Sequence, residues 1–152
     1  MNKLLMVFIA LLMTGSVLAA KMPMPSDMPK SYDAECASCH MAYPPGLLSD
    51  KSWQNVMGSL SKHFGTDASI EQKDQLEITN WLRKNAATRQ KYSELAPENR
   101  ITKTSWFVRK HDEIKADVWK RQSIKSPANC GACHSGAAEG IFSEKNVAVP
   151  AK

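Results

Sequence analysis

Four cysteines and four histidines carry the chemistry in this 152-residue sequence. The cysteines fall in two five-residue stretches, Cys36-Ala37-Ser38-Cys39-His40 and Cys130-Gly131-Ala132-Cys133-His134. Each reads C-x-x-C-H, the attachment signature of a c-type haem. Two cysteines three positions apart lie close together on one turn of helix, so both sulfurs reach the vinyl groups of one porphyrin. The histidine that follows is carried beneath the ring, where its imidazole can ligate the iron. The two motifs use every cysteine in the chain. Two covalently attached c-type haems are therefore expected, with Cys36, Cys39, Cys130 and Cys133 as thioether residues and His40 and His134 as iron ligands.

The other two histidines, His63 and His111, fall on the apolar faces of predicted helices. A histidine there is ordinarily a hydrogen-bonded core residue, but two irons that each take a sixth ligand change the balance. Bis-histidine ligation of both haems uses each histidine once. The intervals agree: 63 − 40 = 23 and 134 − 111 = 23, with the halves in opposite order. Local closure pairs His40 with His63 and His111 with His134, and a crossed pairing stays open. Methionine is the rival sixth ligand, and Met57 is its one serious representative. Two imidazoles donate strongly to ferric iron, so low potentials are expected.

Two CxxC pairs could instead hold zinc or form redox disulfides. Their separation of 130 − 36 = 94 residues and the unexplained histidines count against both, and no zinc is expected. A catalytic haem needs an open iron position, which the histidine count opposes. The chain is accordingly not expected to be an enzyme. The alternative is a haem enzyme or gas or redox sensor in which a small ligand displaces one distal histidine.

The elements that must position these groups are all helical, and an all-α fold is expected. Ser49 to Phe64 predicts an amphipathic helix, with Trp53, Val56, Met57, Leu60, His63 and Phe64 at helical spacing and Gly65 as its cap. Ser69-Ile70-Glu71-Gln72 has the form of a capping box opening a second helix to about Asn85. A third helix is predicted from near Thr104, with Phe107, His111, Ile114 and Val118 on its apolar face. Ala86 to Ile101 is polar, broken by Pro97, and reads as a connection. Lys21 to Lys30 contains Pro23, Pro25 and Pro29 and reads as an extended, mobile leader. Gly136 to Lys152 reads as an irregular tail.

Residues 1–20 read as a cleaved secretory signal, with Lys3 before an apolar run from Leu4 to Met13 and a small-residue cleavage site at Val17-Leu18-Ala19-Ala20. A single domain over 21–152 follows, its first haem centred on 36–64 and its second on 105–134. The expected location is the periplasm, with the protein soluble or peripheral to the inner membrane. Formal charge is +5, and loss of Lys3 leaves 19 − 15 = +4. Propionates, about two negative charges per haem, lower it further. So mild a field can steer an acidic partner but does not argue for nucleic acid.

Taken together, these stretches resemble the small dihaem cytochromes c of the DHC type. The likeness runs through both haem motifs, Ala42-Tyr43-Pro44-Pro45 and His63-Phe64-Gly65-Thr66-Asp67-Ala68-Ser69. It continues through Arg100-Ile101-Thr102, Trp106-Phe107, His111-Asp112-Glu113-Ile114, Val118-Trp119 and Ser126-Pro127-Ala128-Asn129. The resemblance implies a bacterial electron-transfer protein with two bis-histidine haems. It also implies other redox proteins as partners, with a membrane-bound b-type cytochrome as donor and a small high-spin haem protein as acceptor.

Overall fold

The computed structural model describes residues 21–151, so the secretory signal read at 1–20 lies outside the described residues. These form five α-helices joined by short 3-10 turns, with isolated bridges but no strand among them. The helices are α1 (Lys30–Cys36), α2 (Asp50–Met57), α3 (Gln72–Lys84), α4 (Ser105–Lys110) and α5 (Ala116–Trp119).

The first three helices build one core. Ser49 caps α2 by accepting from the Ser52 N–H, satisfying one of the donors a helix start leaves open. α2 then packs against α3, which also receives α1. Tyr32, Leu48, Trp53, Val56, Met57, Ile78, Trp81 and Leu82 meet there and are buried. A second cluster of Leu47, Tyr92, Trp106 and Phe107 lies under the C-terminal half. Tyr43 and Ile101 border both.

Both long predicted helices are shorter than their periodicity. α2 stops at Met57, where Gly58 ends the helix and the Ser59 hydroxyl folds back on the Asn55 carbonyl at 2.7 Å. A 3-10 turn over Leu60–Lys62 follows, and the chain reverses between His63 and Thr66. Phe64 and Gly65 take φ of 51° and 102° there, so Gly65 serves this reversal rather than a helix end. The reversal presents His63 at a bend instead of on a helix face.

In the third predicted helix the break falls at His111. Its backbone closes α4 and its ring Nδ1 lies 2.8 Å from the Phe107 carbonyl oxygen. That carbonyl is one of those a helix C-terminus leaves open, so the side chain caps the helix that presents it. The expected capping box does not form. Glu71, without a side-chain cap bond, precedes α3, and the Ser69 N–H donates to Asp67 Oδ1 at 2.9 Å.

The leader is docked, contrary to the mobility its prolines predict. The Met22 N–H donates to the Gly140 carbonyl at 2.9 Å, and Met22 packs on the second core cluster. Met24 and Met28 pack on the first. Asp27 accepts from the Trp81 indole at 3.2 Å and from Lys84 at 2.7 Å. Prolines limit the unfolded chain but do not prevent an extended segment from finding apolar partners. No helix of the described residues is long and apolar enough to cross a membrane.

Candidate functional site

Cys36 is the last residue of α1, and the chain turns through Cys39 to His40. Cys130 opens a 3-10 turn through Ala132, with the His134 N–H returning to the Cys130 carbonyl at 2.9 Å. The two motifs therefore present their thiols from turns rather than from one regular helical turn. Burial pushes the Cys36 and Cys130 thiols up to about 11, and raises Cys133 as well. No disulfide joins Cys36, Cys39, Cys130 or Cys133, so all four are available for thioether bonds.

The four imidazoles stand in two pairs. The His40 and His63 ring centroids are 6.2 Å apart, with their planes inclined by 27°. The His111 and His134 centroids are 6.1 Å apart, with planes inclined by 79°. Among the described residues, no three His, Cys, Asp or Glu side chains converge as a site for a bare ion. Met57, the rival to His63, is buried at 4% exposure inside the first core.

The supports of the four rings differ. His40 Nδ1 lies 2.8 Å from the Met41 carbonyl, and His111 Nδ1 lies 2.8 Å from that of Phe107. A ring that donates from Nδ1 keeps its Nε2 lone pair free and oriented for a metal. His111 is further held by Phe107, stacked at 4.0 Å, and by Trp119 at 5.9 Å. His63 makes no ring hydrogen bond within the described residues, and its aromatic neighbours are Phe64 at 4.7 Å and His40. Burial, then the neighbouring His40 and Arg100, lower the His63 pKa. Burial and His111 do the same for His134. Both shifts favour neutral imidazole, the form that binds metal.

Three groups around the pairs were not singled out by sequence pattern. The Tyr43 ring lies 4.8 Å from that of His40, while its hydroxyl donates to the Ala128 carbonyl at 2.7 Å, two residues before Cys130. Phe142 faces His134 at 5.6 Å. The tail read as irregular is tied to the second motif by the Ala148 N–H to Cys133 carbonyl bond at 2.9 Å and a bridge between His134 and Val147. Each contact spans residues distant in sequence or lies in a non-periodic segment. Only the recurrence of an aromatic near each histidine could have signalled them.

The buried polar atoms of the second half fit a haem. Trp106 Nε1, Arg121 Nε and His134 Nδ1 are buried without a hydrogen-bond partner, and all three belong to the second half of the chain. The indole and guanidinium are donors that suit the carboxylates a haem carries. Paired cysteines, paired imidazoles and orphaned donors together fit the group that C-x-x-C-H implies.

The fold and site define a small all-α cytochrome of the c type with two haem positions. The chain belongs to the dihaem cytochrome c family, whose sequence profile, DHC, matches residues 32–142. It is similar to the crystal structure of DHC purified from Rhodobacter sphaeroides, with 38% identity and a TM-score of 0.66 over 78% of this chain and 99% of that one. It is also similar to the diheme cytochrome type c of Shewanella baltica OS155, with 36% identity and a TM-score of 0.70 over 81% of this chain and 95% of that one. A comparison with curated protein sequences gave no match. The protein is thus a haem-binding electron-transfer cytochrome with two c-type haems, and its described residues, helical and without a strand, match the solved DHC structures.

Proposed function

We propose that the protein is a periplasmic electron carrier whose two haems are each held by two histidines, His40 with His63 and His111 with His134, at low potential. Cys36, Cys39, Cys130 and Cys133 form the thioethers in this reading. The observation that carries it is the spacing of the rings. A metal–imidazole bond is about 2.0–2.1 Å and the ring centre lies about 1.1 Å behind the bonding nitrogen, so two imidazoles that held one iron between them would stand about 6.3 Å apart. The two pairs stand at 6.2 Å and 6.1 Å.

The haems supply one-electron chemistry, and the chain supplies position and electrostatics. His40 and His111, donating from Nδ1 to carbonyls, are the stronger electron donors of their pairs, which supports low potentials. Phe107 stacked on His111 and Phe142 set edge-on to His134 limit ring motion between oxidation states. Tyr43 ties the two sites and holds their separation. As partners we propose other redox proteins, a membrane-bound b-type cytochrome as donor and a small high-spin haem protein as acceptor, on the strength of the family resemblance. The +4 charge of residues 21–152, from 19 basic and 15 acidic side chains, is brought close to neutral by about two propionate charges per haem, so net charge does not select the partner's docking face.

Low-temperature EPR of the oxidised holoprotein tests the ligand set. Near-parallel imidazole planes split the iron d-orbitals and give a rhombic low-spin signal, while near-perpendicular planes leave them almost degenerate and give one large-gmax feature. The first pair should give the rhombic signal and the second the large-gmax one. His63→Ala should convert only the first to high spin, and His111→Ala only the second. A high-spin haem in the unmodified protein, or a far-red methionine–iron band, would refute this ligand set.

A further inference from the structure

The two distal histidines are held very differently. Proximal His40 and His134 are tethered beside cysteines that the haem bonds covalently, so only His63 and His111 are free to leave an iron. His111 is fixed three times over: by its Nδ1 bond to Phe107, by the Phe107 ring stacked on it at 4.0 Å, and by its place as the cap of α4. Moving it would uncap the helix and break a stacked pair whose other member is buried in the second core.

His63 has neither a ring hydrogen bond within the described residues nor a phenyl ring stacked on it, since Phe64 stands tilted at 4.7 Å, and it caps only the three-residue 3-10 turn Leu60–Lys62. It follows a 3-10 turn, at the first position of a reversal whose next two residues have positive φ. Its ring makes no hydrogen bond to the described residues, and Phe64 beside it is 45% exposed, with Arg100 over its face at 4.2 Å. A cavity of about 160 Å³ adjoins it, lined by Val56, Ser59, His63, Phe64, Glu98 and Asn99 among others. None of Cys36, Cys39 and His40 lines this cavity, which sets it apart from the gap between the paired rings. At about 30 Å³ per water molecule it has room for roughly five waters, more than a five-membered ring needs.

We propose that His63 is an exchangeable ligand: in the reduced protein its imidazole turns into this cavity, and a small neutral diatomic of the carbon monoxide or nitric oxide kind takes its position on the first haem, while His111 stays in place. The inference rests on the bis-histidine reading above. The exchange breaks one iron–nitrogen bond and forms one bond to the diatomic. His63 leaves as neutral imidazole, so no proton moves and no electron is transferred. The first haem becomes the ligand-sensitive end of the carrier and the second a protected one.

The test is carbon monoxide binding to the reduced holoprotein, followed by visible stopped-flow. One equivalent should bind per two haems, at a rate that saturates with carbon monoxide concentration because departure of His63 limits it. In His63→Ala the stoichiometry should stay at one and the rate become linear in concentration and at least tenfold faster. In His111→Ala the stoichiometry should rise to two. Ser59→Trp, which fills the cavity from its exposed rim, should slow binding at least tenfold while leaving the resting spectrum unchanged. Should a histidine variant lose haem, reoxidation of the carbon monoxide-bound wild type identifies the site: the ligated haem resists oxidation, so the large-gmax EPR signal should return and the rhombic one should not. Two low-spin haems that bind no carbon monoxide, or binding at the second haem, would overturn this inference and leave the carrier reading intact. A haem that is high-spin at rest would overturn both.

Discussion

Gly140→Ala is the sharpest probe of how the leader and the second haem region hold each other. Gly140 has φ of 71°, and a Cβ there would stand 1.9 Å from the Met22 carbonyl oxygen and 2.9 Å from Pro23 Cα. Those are backbone atoms, so the leader must move by more than 1 Å, from 1.9 Å to at least the 3.0 Å below which real Cβ contacts are not found. The left-handed conformation costs an alanine about 1–2 kcal/mol. Separation of the leader from Gly140 breaks the Met22 N–H to Gly140 carbonyl bond, worth about 0.5–1.5 kcal/mol net. The total is about 1.5–3.5 kcal/mol, before any loss of Met22 packing. At about 2–4 °C per kcal/mol for a chain of this size, the melting temperature should fall by roughly 3–14 °C. Calorimetry of the holoprotein reads the shift, and faster tryptic cleavage after Lys30 reports leader release. Gly46→Ala is the control: it has ordinary φ and nothing within 4 Å of its added Cβ. It should melt near the wild type. A Gly140→Ala protein melting within about 1 °C of the wild type would refute the docked leader.

Two further predictions concern the ties between distant segments. Tyr43→Phe removes only the hydroxyl that reaches Ala128, and should cost about 0.5–1.5 kcal/mol by denaturant unfolding. The Soret circular-dichroism couplet, which reads haem–haem geometry, should change with it. An unchanged couplet would show that Tyr43 does not set that geometry. Hydrogen bonds from Lys84 and then Trp81 hold Asp27 below its ordinary 3.8. A depressed carboxylate stabilises the fold above its unfolded pKa, and that contribution is lost as pH falls through the folded value. Asp27→Asn should therefore melt below the wild type at pH 7, with the difference closing as pH drops below 3.8. A constant difference across that range would exclude the linkage.

The parts of this protein that are legible along the chain are those whose information is local. C-x-x-C-H is a covalent spacing, readable without any fold, and it specifies two haems. Helical periodicity located α2, α3 and α4 because a buried stripe must recur every three or four residues. It overran the true ends, because Gly58 and His111 break the backbone hydrogen-bond ladder while the apolar spacing carries on. The Ser69 capping box failed for a related reason: Asp67 reached the same N–H first.

What tertiary structure alone decided are relations between two distant places. The 27° and 79° inclinations of the ring pairs depend on what each histidine packs against, and nothing within 23 residues of sequence encodes an angle. Tyr43 could be joined to Ala128, and Met22 to Gly140, only after the chain had closed on itself. The unequal restraint of His63 and His111 belongs to the same class. Both occupy the same sequence role, and only the surroundings each meets in the fold make one fixed and the other free to turn.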